Sequence, residues 1–176
     1  MFNWLKLVLL NRLYSKTIRE FSKNHQKGIT KDLKNNSVIL DHRLGIDKKY
    51  FKEIGTHFNI PKHNVRVLTF FESQKQINET NYNSSFTSND ISISGVLGGV
   101  LPDFCKKNSD VLINFYDQND INLKYLSAKV DKKISIGFKS VDHSLNDLII
   151  EVDAQNIETF ISECIKYLKI FFSIKK

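Results

Sequence analysis

The chain has only two cysteines, two prolines and one tryptophan in 176 residues, and no long apolar run. Cys105 and Cys164 are isolated, with no CxxC pair and no histidine cluster beside them. That excludes a disulfide framework and a zinc module, and fits two buried thiols in a reducing cytoplasm. Two prolines and seven glycines are too few for a long disordered linker. No stretch reaches the roughly 18 consecutive apolar residues of a membrane span. In the apolar opening from Met1 to Leu13 the longest unbroken run is Leu7-Val8-Leu9-Leu10, between Lys6 and Arg12. A secretory signal needs a longer apolar stretch and a small-residue cleavage site. The chain is therefore expected to begin its mature form at Met1 and to stay inside the cell. Nucleophile elbows, G-x-G-x-x-G and G-K-[ST] endings are all missing, so no motif names a reaction.

Charge is unevenly spread. Up to Asn36 there are eight basic and two acidic residues; the 26 and 19 of the whole chain leave 18 and 17 for the rest. The sequence divides into a basic, partly apolar arm over 1–36 and a near-neutral body over 37–176. Within the arm, residues 2–26 read as one helix. Trp4, Leu7, Leu10, Tyr14, Ile18 and Phe21 recur at steps of three or four, as do Arg12, Lys16, Arg19, Lys23 and Lys27. At about 100° per residue the two series fall on opposite faces. Leu5, Val8, Leu9 and Leu13 make the first turns apolar nearly all round, and Gly28 ends the pattern.

In the body, strands are expected at Ser37 to Asp41, Val65 to Phe71, Ile91 to Ile93, Asp110 to Tyr116, Lys133 to Phe138 and Asp147 to Val152. Helices are expected at Tyr50 to Phe58, after Pro102, at Ile121 to Val130 and from Ile157 to Phe172. Apolar strands alternating with helices predict an α/β domain of three layers with a mostly parallel sheet, flavodoxin-like or half-Rossmann in style. The gap 139–146 is too short for a helical crossover, which predicts an antiparallel edge hairpin for the last two strands.

The run Asp110 to Asp117 (DVLINFYD), Ser127-Ala128-Lys129 before Ile136-Gly137-Phe138, Leu145-Asn146-Asp147-Leu148-Ile149, and Lys166-Tyr167-Leu168-Lys169-Ile170 carry a resemblance. Together with Phe86-Thr87-Ser88-Asn89-Asp90 they resemble a family of short uncharacterised proteins from Bacteroidota, which also tend to open with a Lys-rich helix. The likeness covers most of the body from Phe86 and departs after Asp90, where Ser94-Gly95-Val96-Leu97-Gly98-Gly99 replaces a more polar, Trp-containing stretch. It implies the fold and no activity. A weaker likeness joins the same strand–helix–strand run to the N-terminal half of heptosyltransferase-type glycosyltransferases. Those enzymes hold a nucleotide-sugar between two such domains, and this chain has room for one.

Candidate chemistry is sparse. Ligands of open α/β sheets bind beyond the carboxyl ends of the strands, where Asp41 and Asp117 fall. They are the candidate general acid and base, or cation ligands, unless they are spent on turns and helix caps. Gly95-Val96-Leu97-Gly98-Gly99 lies before a helix but lacks phosphate-loop spacing. Cys105 has Lys106 and Lys107 beside it as cations that would lower its pKa. The five histidines are scattered and predict no metal site; no cofactor is called for. Asn114, inside the most apolar strand, must be hydrogen-bonded.

The leading expectation is a non-enzymatic cytoplasmic accessory or adaptor protein. It would dock an anionic surface, the inner face of the membrane or RNA on the ribosome, through Arg12, Lys16, Arg19, Lys23 and Lys27. The apolar docking face would be Trp4, Leu7, Leu10, Tyr14, Ile18 and Phe21. The same stripe would equally serve to pack on the body or to form a homodimer. The alternative is a small α/β enzyme or nucleotide/sugar-phosphate-binding protein working at the carboxyl edge of the sheet.

Overall fold

The computed structural model describes residues 2–24 and 32–172. The chain runs α1 (Phe2–Asn24), β1 (Asn36–Asp41), α2 (Lys49–His57), β2 (Val65–Phe71), β3 (Ser85–Thr87) and α3 (Leu101–Lys106). It continues through β4 (Ser109–Phe115), α4 (Ile121–Lys129), β5 (Lys132–Phe138), β6 (Leu148–Ile150) and α5 (Ile157–Phe171). The six strands form one sheet in the order β3-β2-β1-β4-β5-β6, and every neighbouring pair is parallel. That is the doubly wound order of dinucleotide-binding sheets, not the flavodoxin-like order 2-1-3-4-5. β1 and β4 are the central pair, and the topological switch lies between their carboxyl ends.

Both faces of such a sheet must be covered, which is why its central strands are apolar without alternation. β1 and β4 are buried along their whole length. α2 and α5 pack together over one face. There Phe115 meets Phe51, Phe138 and Phe160 at ring separations of 5.1, 5.0 and 5.0 Å. The other face carries α3, α4 and α1, with α1 laid along α4. Local signals set the helix starts. The Asp120 carboxylate accepts the Asn122 N–H at 2.9 Å to cap α4, and Pro102 sits in the first turn of α3.

Two expectations are corrected. β6 pairs with β5 in parallel, so there is no antiparallel edge hairpin. A short connection suffices because β6 has three residues and starts opposite Ile136, two residues before β5 ends. The chain retraces only about 7 Å of strand, which a single 3-10 turn at His143–Leu145 accomplishes. The third strand is Ser85–Thr87, not Ile91 to Ile93; Ile91 makes only an isolated antiparallel bridge to Leu97.

Asn114 is fully buried and fully engaged. Its amide donates to Asn146 Oδ1 at 2.7 Å, and its oxygen accepts from the Ser127 hydroxyl at 2.8 Å. Tyr116 joins the same network through Ser127 at 2.8 Å. Asn146 reaches the strand because residue 137 is glycine. A Cβ there would stand 2.7 Å from Asn146 Cγ.

Val111, Leu112 and Ile113 of β4 are all fully buried between two parallel neighbours. Ile113→Ala is expected to cost about 2–5 kcal/mol in chemical denaturation. A loss under about 1 kcal/mol would place β4 at an edge.

Candidate functional site

Two surfaces carry the candidate residues: the carboxyl edge of the sheet and the outward face of α1. At the carboxyl edge, β1 ends in Asp41, whose side chain is 1% exposed. Its carboxylate accepts the Arg43 backbone N–H at 3.0 Å, Arg43 Nε at 2.9 Å and Arg43 Nη2 at 2.6 Å. The same guanidinium lies 3.4 Å from Asp120 and 3.8 Å from Glu72, and sits over the Phe70 ring. The bonds to Asp41 push the Arg43 pKa above its ordinary value, so the cation is permanent. Asp41 is therefore spent on a turn and an ion pair that fills the switch point.

Asp117 is half-buried, and its Oδ1 has no hydrogen-bond partner among the described residues. A hollow of about 440 Å³ near the ends of β5 and β6 is lined by Phe138, Lys139, Ser140, Glu151, Val152 and Asp153, and includes neither Asp41 nor Asp117. His42 is turned onto the Phe71 ring, with centroids 4.2 Å apart. Among the described residues no three acidic, histidine or cysteine side chains gather as a metal site would require. Arg43 was not singled out in the sequence, although an arginine two residues after a strand-end aspartate is a signal for this clamp.

The other candidates resolve simply. Burial pushes the Cys105 thiol up to about 12, against the opposing pull of Lys132, Lys129 and Arg66. The thiol is therefore raised, not lowered as Lys106 and Lys107 beside it led one to expect. Burial also raises the Cys164 thiol. Both cysteines are free, buried and poorly nucleophilic. The glycine segment is an ordered turn. Gly95 takes the left-handed conformation at φ 78°, and its N–H donates to the Ser92 carbonyl at 2.9 Å.

α1 divides the expected docking face. Leu10 is fully buried and Tyr14 is 6% exposed, both within the core they share with Leu33 and the body. Leu13 and Ile18 pack against that core. Trp4, Leu5 and Leu7 are instead exposed, at 70%, 43% and 44%. Arg12, Lys16 and Arg19 are exposed further along the helix. Lys27 lies outside the described residues, as do the side chains of Phe21 and Lys23.

The helix is tied down at both levels. Lys6 Nζ donates to the Ser88 carbonyl, and the Tyr14 hydroxyl donates to Asp142 Oδ2 at 2.9 Å. Lys124 sits 5.1 Å from the Tyr14 ring centroid. Burial alone would raise the Asp142 pKa. Bonds from the Ser144 hydroxyl and N–H and from Tyr14, with the nearby Lys124, outweigh it and hold the carboxyl below its usual 3.8.

Two outcomes test this geometry. Arg43→Ala strands a buried carboxylate and is expected to cost about 3 kcal/mol by denaturation. A loss below about 1 kcal/mol would mean that water, not Arg43, neutralises Asp41. The Asp142 contribution has the sign of a depressed carboxylate. It is complete above the unfolded pKa and is lost as pH falls through the lower, folded one. Asp142→Asn should therefore lower the melting temperature near neutral pH and flatten its fall between about pH 5 and about pH 2.

With the geometry in place, the comparisons add one firm result. The chain belongs to a family of unknown function, DUF6913, which it matches over residues 6–171. The match begins inside α1 and runs through α5, so helix and body are one family unit. No curated protein and no solved structure matches the chain. Among the described residues no helix is long and apolar enough to cross a membrane.

Proposed function

We propose that the protein is an accessory that attaches reversibly to an anionic lipid surface, the inner face of the cytoplasmic membrane, through the exposed N-terminal turns of α1 and the cations on its outward face. One observation carries the reading. On a helix whose middle is buried in the core, a Trp and two Leu side chains stand exposed at one end, followed along the axis by exposed Arg12, Lys16 and Arg19. An indole with one polar atom suits the headgroup boundary, where Trp is enriched. The apolar end inserts, and the arginines and lysine snorkel to lipid phosphates. Each cation near such a surface contributes about 1 kcal/mol, so three give roughly 3 kcal/mol beside the apolar term. That suits reversible attachment. An RNA backbone would use the cations and leave the Trp and Leu side chains in water.

A nucleotide-binding enzyme is the second reading, supported by the strand order. Against it, the turn after β1 reads Asp41-His42-Arg43-Leu44-Gly45, with one glycine and a guanidinium where a pyrophosphate would approach.

Trp4 is the chain's one tryptophan, so its emission reports the docking end directly. Vesicles containing phosphatidylglycerol should shift that emission to the blue and sediment the protein; phosphatidylcholine vesicles should do neither. Salt should reverse the effect, since the attraction is screened over roughly 8 Å in physiological buffer. Joint Arg12→Glu, Lys16→Glu and Arg19→Glu substitution should weaken binding more than tenfold at unchanged thermal stability. Unaltered Trp4 emission, or equal binding to neutral vesicles, overturns the reading.

A further inference from the structure

β2 is not flanked along its whole length. β1 pairs with it from Val65 to Phe70, whereas β3 pairs with it only from Thr69 to Phe71. The stretch from Val65 to Leu68 therefore has a strand on one side and none on the other. Among the described residues no turn or loop bond uses the backbone of Arg66 or Val67. A hollow of about 530 Å³ follows the same stretch, and Val65, Arg66, Val67 and Leu68 all line it. A hollow above one face of a strand would meet alternate residues, so this one runs along the edge. One wall is Asn83 and Ser84, the residues that lead into β3. The other is the end of α3, with Phe104 and Lys107. The hollow occupies the lane that β3 would fill if it were as long as β2.

Arg66 brings a charge into this lane. Its Nη2 donates to Ser37 Oγ at 2.6 Å, and to Ser109 Oγ and the Lys107 carbonyl at 3.0 Å. Its Nη1 lies 3.4 Å from the Phe104 carbonyl, and the guanidinium sits 5.2 Å from the Phe104 ring centroid. These partners are all neutral. Among the described residues Nε has no hydrogen-bond partner and no carboxylate pairs with the group. The exposed Asp103 lines the hollow without forming an ion pair to it. Burial pulls the Arg66 pKa below its ordinary value, with the Cys105 thiol pulling the other way. The group stays a cation.

We propose that the open edge of β2 is a strand-addition site for an extended peptide of a partner protein, one whose aspartate or glutamate meets Arg66. The proposal does not depend on the membrane reading of α1. An unpaired edge is recognised by another extended backbone, which supplies the missing ladder. Four residues of edge span about 13 Å, so a short segment suffices. The register of β2 against β1 is uninterrupted, with neither a bulge nor a proline to blunt the edge. The acidic side chain follows from Arg66. A guanidinium held in place by neutral oxygens has geometry to offer a carboxylate and no anion to give up first. A second copy of the chain fits less well, because pairing β2 with β2 would bring Arg66 towards its own kind.

The probe is a capped hexapeptide of alternating valine and threonine with one glutamate, placed at each position in turn. Titrated into the full chain labelled with heavy nitrogen, the best of these should shift the backbone amides of Arg66, Val67 and Leu68 and the Arg66 Nε–H. Glutamine in place of that glutamate should weaken binding about tenfold, the loss of one charge-assisted bond. This comparison leaves Arg66 and its bonds in place, so it reads the pairing with the fold unaltered. Methylation of the peptide's backbone nitrogens should abolish binding. Asn83→Trp, at an exposed position on the wall, should block the peptide while melting like the parent. Unmoved amides at about 1 mM peptide overturn the proposal. So do equal affinities for the glutamate and glutamine peptides, or shifts at these amides that follow protein concentration without peptide.

Discussion

A parallel sheet has two faces to bury, and in this protein one of them is short of cover. β4 and β1 are buried on both sides. The face under α2 and α5 is filled by the 15-residue α5 and a cluster of phenylalanines. The opposite face has only a six-residue α3 and a nine-residue α4 from the crossovers. The 23-residue α1 supplies the remainder. Leu10 and Tyr14 are core residues for that reason, and the N-terminal helix is part of the domain's packing. What the sheet requires of α1 also decides what α1 has left to offer a partner. Its inner face is committed. Its outward cations and its apolar first turns are exposed.

The sequence pattern and the structure agree where burial is strong and part where geometry is three-dimensional. β1, β2, β4 and β5 are legible because each is a run of apolar residues bounded by polar ones. α2 and α5 are legible from their periodicity. β3 is not, since Ser85-Phe86-Thr87 has one apolar residue and draws its place from pairing with β2. The β5–β6 connection departs from the expected hairpin because the length rule for parallel crossovers assumes full-length strands, and β6 starts only two residues short of where β5 ends. The stripe on α1 shows the same limit. Periodicity places Trp4, Leu7, Leu10 and Tyr14 on one side of the helix. It carries no information about which of them has a body beneath it, and only the middle pair does.

The resemblance motifs, by contrast, acquire a physical meaning. Asn114 of the DVLINFYD run, Ser127 of the Ser-Ala-Lys run, Gly137 and Asn146 meet in one buried network. Each depends on the others. Asn114 would be an unsatisfied amide without Ser127 and Asn146, and Asn146 would be held off by any side chain at 137. The bonded members specify one another, while Asn146 Nδ2 has no hydrogen-bond partner among the described residues. The network fixes the register of β4, β5, α4 and the 143–147 turn relative to one another, which accounts for the motifs as fold determinants without assigning them chemistry.

The carboxyl edge makes the contrast with α1 sharper. A six-stranded sheet in this order has a ready crevice between β1 and β4, and in ligand-binding relatives of the topology it is kept open by glycine. Here the position is held by the Arg43 guanidinium, clamped by Asp41 and braced by Asp120 and Glu72. To admit an anionic ligand, that cation would have to leave a carboxylate that is itself 1% exposed, and the stranded charge would oppose the exchange. At the N-terminal end of α1, Lys6 is bonded to the Ser88 carbonyl while Trp4, Leu5 and Leu7 stay exposed. Apolar side chains such as Trp4, Leu5 and Leu7 gain by leaving water. The switch point is thus held by an internal ion pair, whereas the first turns of α1 and its outward cations stay exposed.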